Sequence, residues 1–241
     1  MRKFFIILAL LAMGLFVFTS CDDQKIPSPP DDDPIETPTD SVGNDKPVEV
    51  EPEENGHKYV DLGLSVKWAT CNIGGSRPTD IGGYYAWGEK SAKSKYDWDT
   101  YKFCNSPELT KYFEFDGKKL LDIEDDIARA MWGGAWRIPT KEEQYELHVN
   151  CTWVWTTENY VQGYRVTSNI EGYTDRSIFL PASGLKIGSS RSGVDEYGYY
   201  WSSTRAVDQN CALVLTFGSH YIANNFDVSR AKGCSVRAVF K

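Results

Sequence analysis

Tyr197, Tyr199 and Trp201 alternate along one short stretch, with Tyr200 among them and Asp195-Glu196 immediately before. Flat aromatic rings stack on the apolar faces of sugars or on peptide side chains. Strand alternation turns about half of such a run toward a core, so the run holds both packing and binding rings. Asp195 and Glu196 lie in a polar Gly/Ser stretch and are expected to face Asp208 and Asn210 of the next loop. Oxygen ligands gathered from loops are what calcium takes, which makes calcium the one cofactor this reading admits. The surface of residues 186–200 and 205–210 is the expected contact region for a carbohydrate or protein ligand, because loops on a rigid scaffold commonly carry recognition.

Other chemistry leaves few marks. His57, His148 and His220 are isolated and no Cys-x-x-Cys spacing exists, so a metal site of the zinc type is not expected. There is no Gly-x-Ser-x-Gly and no phosphate-cradling glycine loop. Glu142-Glu143 opens a helix, where acidic residues suit the dipole without any catalytic role. No catalytic residue is assigned.

These candidates need a scaffold, and the stretch from Trp132 to Leu147 organises it. Ile123, Ile127 and Met131 recur at helical spacing, which predicts a helix from Asp122 that stops at Gly133. Trp136 and Ile138 fit a short strand. Thr140 with Glu143 three residues on makes a capping box for a second helix to about Asn150, with Tyr145 and Leu147 as core candidates. Before this block, Lys58–Leu62, Ser65–Cys71 and Tyr84–Trp87 read as strands, and residues 90–121 as a long surface loop with a hairpin near Asp116-Gly117. After it come Thr152–Thr157, Tyr164–Ile170, Ser177–Ala182, a polar loop over 184–198, Tyr199–Thr204, Cys211–Phe217, Tyr221–Val228 and Cys234–Phe240. Two early helices and many late strands predict an α+β domain with a twisted antiparallel sheet.

The chain's beginning is of another kind. Arg2 and Lys3 precede an apolar run from Phe4 to Phe18 that ends in Thr19-Ser20-Cys21. Basic start, short apolar core and small residues before a cut are the parts of an export signal, here residues 1–20. Cys21 after Thr-Ser resembles a bacterial lipoprotein processing site, whose thiol is acylated and anchors the chain to a membrane. Residues 21–56 follow as a linker with seven of the eleven prolines and twelve acids against two lysines. Such a composition cannot bury enough apolar area to fold, so it reads as a disordered stalk. Residues 57–241 carry twenty-two charges of each sign, so the formal charge of −8 comes from the first 56 residues, where the acidic stalk outweighs Arg2 and Lys3. A balanced domain has no field that would attract nucleic acid.

The block Trp132-Gly133-Gly134-Ala135-Trp136-Arg137-Ile138-Pro139-Thr140-Lys141-Glu142-Glu143-Gln144-Tyr145-Glu146-Leu147 resembles the signature of the Fibrobacter succinogenes major paralogous domain, a family common in secreted Bacteroidetes lipoproteins. Tyr59–Asn72, Tyr84–Glu89, Ile178–Ala182, Tyr200–Thr204 and Ser235–Val239 agree with it in order. Gln144 departs from the pattern, standing where the family usually has an aromatic residue. The resemblance implies a C-type lectin-like variant over residues 57–241, on a lipoprotein of the outer membrane that faces the cell exterior. It also implies a late cysteine pair, Cys211 with Cys234; the alternative is two buried reduced thiols. Cys71 and Cys151 form a second possible pair, which leaves Cys104 free. The implied function is non-catalytic binding or adhesion toward a glycan or a host or bacterial surface protein. Against this stand two rivals: an enzyme related to formylglycine-generating and sulfatase-modifying proteins, which share a Trp-Arg-(Leu/Ile)-Pro-Thr-x-x-Glu block, and a structural subunit of a surface assembly. The sugar-binding tripeptides of calcium-dependent lectins, Glu-Pro-Asn and Gln-Pro-Asp, are absent.

Overall fold

Asn55 and Gly56 make the first turn of the fold, with φ of 48° and 77°. Two successive positive φ values are what a two-residue I′ hairpin requires, and Asn-Gly supplies them at least cost. The turn joins β1 (Glu53–Glu54) to β2 (His57–Val60), with Glu54 opposite His57. The computed structural model describes residues 52–106 and 108–241. The expected signal segment, Cys21 and most of the linker lie outside the described residues, but its last residues do not. The boundary expected at His57 falls inside a hairpin. Glu54 and Asn55 are held from the far side too, because the Trp136 indole donates to the Glu54 carbonyl (2.8 Å) and the Asn55 amide to the Trp132 carbonyl.

β3 (Lys67–Ala69) pairs with β2, and residues 90–121 then wrap the surface with their own short elements. These are a 3-10 turn at Trp98–Thr100, the hairpin of β4 (Cys104–Asn105) and β5 (Glu108–Leu109), and a second 3-10 turn at Glu114–Asp116, which Gly117 ends at φ 70°. The helix expected from Asp122 is broken by Asp126. That residue is extended (φ −87°, ψ 120°), and its carboxylate accepts the N–H groups of Ala128 and Arg129, so it caps α1 (Ile127–Trp132) instead of sitting within a helix. Its second oxygen accepts from Ile138 N–H at 2.7 Å. Ile123 and Met131, two of the three residues that suggested the helix, are consequently 46% and 49% exposed.

α2 (Lys141–Val149) begins at the expected capping box: Thr140 accepts from Glu143 N–H and Glu143 from Thr140 N–H. Arg137 grips the same carboxylate with both terminal nitrogens, at 2.7 and 2.5 Å. Leu147 is buried as expected, whereas Tyr145 is 56% exposed. Gln144 is buried, and its amide donates to the carbonyls of Tyr200 and Trp201. Gln144 is thus a polar pin between α2 and the sheet.

β6 (Cys151–Glu158), β7 (Val161–Ser168) and β8 (Ser177–Pro181) form a three-stranded antiparallel sheet. β9 (Ser183–Ile187), β10 (Ser190–Val194), β11 (Tyr197–Arg205), β12 (Cys211–Gly218) and β13 (Tyr221–Ser229) form a five-stranded one, ordered β10-β9-β11-β12-β13. β14 (Val239–Phe240) returns to lie beside β3. Alternation on β11 and β12 serves two cores. Trp201 and Val214 face one, with Trp87, Trp136 and Cys234; Tyr200, Leu215 and Phe217 face the other, with Trp68, Leu147 and Tyr164.

The expected α+β C-type lectin-like domain is not what forms. Strand occupies 42% of the described chain and helix 13%, in several sheets with a curled, half-barrel course. Two short helices do not make a second layer. The main surprise is residues 184–198, where a polar loop was expected and the hairpin β9–β10 stands. Its glycines permit close backbone approach instead of irregular chain: a Cβ on Gly184 would lie 2.3 Å from the Ser192 carbonyl oxygen.

Candidate functional site: an aromatic cleft

Tyr197 opens β11 opposite Gly218, the last residue of β12, and Tyr221 opens β13 opposite the same glycine. A Cβ at Gly218 would lie 2.9 Å from the Tyr221 ring and 3.1 Å from the Tyr197 ring, so a side chain there would push the two rings apart. With glycine they sit 6.4 Å apart at 39°, and 38% of Tyr197 and 44% of Tyr221 is exposed. Ser219 and His220 form the tight turn between β12 and β13.

The other wall comes from the three-stranded sheet. Trp155 on β6 is half-buried and packs edge-on against Tyr164 (5.1 Å), whose hydroxyl donates to the Gly218 carbonyl at 3.1 Å. That bond ties the two sheets together beneath the cleft. Gln162 on β7 and Asp195, at the β10–β11 turn, close one end, with the Asp195 carboxylate accepting from Gln162 N–H at 3.4 Å. Asp195 is itself held at φ 63° by its own N–H donating to the Ala182 carbonyl at 2.8 Å. Together with Glu196 these residues line an open cleft of about 650 Å³. Three rings, two carboxylates, a primary amide, a hydroxyl and an imidazole converge there, and no lysine or arginine lines it.

The residues expected from sequence are dispersed by this geometry. Asp195, Glu196 and Tyr197 line the cleft. Tyr199 is half-buried against the core, and burial raises its phenol pKa. Trp201 is buried, its indole donating to the Tyr85 carbonyl at 2.7 Å, so it is a core residue and not a ligand contact. Asp208 and Asn210 lie beyond the other end of β11, roughly 25 Å of strand from Asp195. Asp208 there accepts from Asn210 N–H at 2.9 Å, closing its own turn. The joint calcium site expected from Asp195, Glu196, Asp208 and Asn210 is therefore not assembled, and the surface of 186–200 with 205–210 is not one surface. Among the described residues no group of three or more His, Cys, Asp or Glu side chains is placed to hold a metal.

The cysteine bridge is corrected as well: Cys71, Cys104, Cys151, Cys211 and Cys234 are all free. Cys234 is fully buried beside Tyr85, while Cys211 opens β12 next to Asp208. Burial first, and Asp208 second, push the Cys211 thiol up to about 11.

Trp155, Gln162 and Tyr221 are not assigned to a site from sequence, and His220 reads there as an isolated histidine. The signal for Trp155 was present, since Trp153 and Trp155 alternate with Val154 in one strand; what sequence lacks is which sheet edge that strand meets. Elsewhere, concentrated charge supports the fold. Asp125 is buried among Lys102 (3.0 Å), Lys111 (2.5 Å) and the Tyr112 hydroxyl (2.7 Å). Arg230 is buried over Trp87 and Tyr101, at 5.5 and 5.6 Å.

Comparison with known proteins gave no matching family model, no matching curated protein and no matching solved structure.

Proposed function

We propose that this protein is a non-catalytic binding module that takes a glycan chain in the cleft between Trp155, Tyr197 and Tyr221. The observation that carries the reading is the ring pair over Gly218. Tyr197 and Tyr221 are partly exposed although the fold has two aromatic cores to hide them in, and each is held in register by strand pairing opposite Gly218 of β12. Preformed rings lose little freedom on binding, which favours stacking on the apolar face of a pyranose. Gln162, Ser219, His220 and the two carboxylates supply hydrogen-bonding groups around that platform for sugar hydroxyls.

In the same reading the module is a surface lipoprotein of the major paralogous kind, anchored in the outer membrane through acylated Cys21 and held off it by the acidic, proline-rich linker. The support is the order of signal, Thr-Ser-Cys and linker in the sequence.

The test is a glycan array probed with full-length protein, with and without calcium. The reading expects at least one glycan class bound, without calcium dependence, and lost in Trp155→Ala. No bound glycan, with capture of a surface protein instead, would reject it. Fatty-acid analogue labelling of wild type but not Cys21→Ser checks the anchor, and equal labelling of both would remove it.

A further inference from the structure

We propose that the cleft prefers amino sugars bearing free, protonated amines, an inference that rests on the glycan reading above and names its ligand class. The first observation is shape. A flat group inserted between two rings needs roughly 7–8 Å between them, two van der Waals contacts of about 3.5–4.0 Å. Tyr197 and Tyr221 are 6.4 Å apart, so nothing enters between them and they act as one tilted platform. A ligand lies on such a platform with a flat face, as a pyranose does, instead of threading into an enclosing cage as an alkylammonium would.

The second observation is charge. Asp195 and Glu196 are exposed at the rim, and among the described residues neither has an ion-pair partner. The neighbouring acid Glu158, on β6, pairs with Arg165 at 2.6 Å. Of the two cations of the β9–β10 hairpin, Lys186 lies over the Tyr96 ring at 5.3 Å and Arg191 acts on the Tyr84 phenol, and no lysine or arginine lines the cleft. A pyranose carrying an ammonium at its ring edge can place its apolar face on the tyrosines and its charge on the carboxylates. Ring faces attract cations, and charge-assisted hydrogen bonds are about twice as strong as neutral ones. Uronic-acid or sulfated chains would meet two carboxylates with no compensating cation and are disfavoured.

Three hexamers with one β-1,4 backbone differ only at C2 and isolate the amine: glucosamine hexamer, N-acetylglucosamine hexamer and cellohexaose. Titrated into full-length protein at low salt, with the amines protonated, the glucosamine hexamer is expected to bind about tenfold tighter than either neutral chain, a charge-assisted margin. The chain's net charge of −8 attracts any polycation, so the decisive comparison is with Asp195→Asn/Glu196→Gln. Asn tolerates the left-handed backbone at position 195, so the shape is kept while both charges go. In that variant the ratio of glucosamine-hexamer to neutral-hexamer affinity should fall to about one, whatever all three chains lose with the hydroxyl contacts of the two carboxylates. Equal binding of all three hexamers by wild type, or a preference that survives in the variant, overturns the amino-sugar inference and leaves the glycan reading standing. If no hexamer and no array glycan binds, the glycan reading fails and takes this inference with it. Hexalysine binding as tightly as glucosamine hexamer, with the same loss in the variant, overturns the inference in favour of a basic peptide.

Discussion

Replacing Arg237 with methionine removes the clamp that joins three parts of the fold. Arg237 is 1% exposed, and among the described residues no carboxylate pairs with it. Its guanidinium instead donates to four oxygens: Asn72 Oδ1 at 2.9 Å, the carbonyls of Ala69 and Thr70 at 3.1 and 3.0 Å, and the Phe179 carbonyl at 2.8 Å. These bonds tie the C-terminal segment to the end of β3 and to β8. Methionine fills much of the volume but leaves those oxygens without their donor. An unsatisfied buried acceptor costs about 1–3 kcal/mol, and four at the low end give about 4 kcal/mol. Some is returned because a buried cation no longer has to be desolvated, a burial strong enough to pull the Arg237 pKa down. The expected net loss is about 3 kcal/mol. Urea unfolding should show it as a lower midpoint with an unchanged slope. Arg237→Lys should be no better, since an ammonium has three donors and cannot span four acceptors in a plane. A methionine variant within about 0.5 kcal/mol of wild type, near the scatter of surface substitutions, would refute the reasoning.

Asp80 accepts the N–H groups of Ser76 and Arg77, and these bonds, Ser76 first, hold its carboxyl down at about 2 against an ordinary 3.8. A depressed carboxylate stabilises fully above its ordinary pKa and loses that contribution as pH falls through the folded one. Asp80→Asn should therefore be less stable than wild type near neutrality, and the gap should narrow between about pH 4 and pH 2 in urea melts. A chain starting at Pro52 should be more stable than one starting at His57 by about 2–3 kcal/mol, because the latter strips Trp136 and Ala135 of their Glu54 partners; equal melting temperatures would contradict this. Alkylation of unreduced native protein should reach Cys104 and Cys211 first, and Cys71, Cys151 and Cys234 only on unfolding, with non-reducing peptide maps free of a linked Cys211–Cys234 pair.

What the sequence made legible was local. The Thr140–Glu143 box forms as read, because both partners lie within one helical turn. Most of the late strands fall where their alternation put them. The errors come from residues that serve two local rules at once. Asp126 sits within a helical apolar period, yet its short carboxylate is a better cap than an interior residue, and the cap won. Glycines 184, 188 and 193 read as loop punctuation but provide positive φ inside a hairpin, and Gly184 also a close backbone contact. Asn55-Gly56 was the strongest hairpin signal in the chain, but it stood at the end of a composition otherwise suited to a stalk. The cleft was only half legible. Asp195, Glu196 and Tyr197 are consecutive, whereas Trp155, Gln162 and Tyr221 reach them only through the meeting of two sheets, which periodicity within a strand does not encode.

The central claim is that the Trp155–Tyr197–Tyr221 platform binds sugar. Calorimetric titration of the tightest-binding array hexasaccharide tests it most directly, into wild type, Trp155→Ala, Tyr221→Ala and the surface control Tyr145→Ala on α2. Each cleft variant should lose about 1–3 kcal/mol of binding, roughly 5- to 150-fold, while the control binds as wild type and every variant still unfolds in a cooperative urea transition. Folded cleft variants that bind as tightly as wild type would contradict the account.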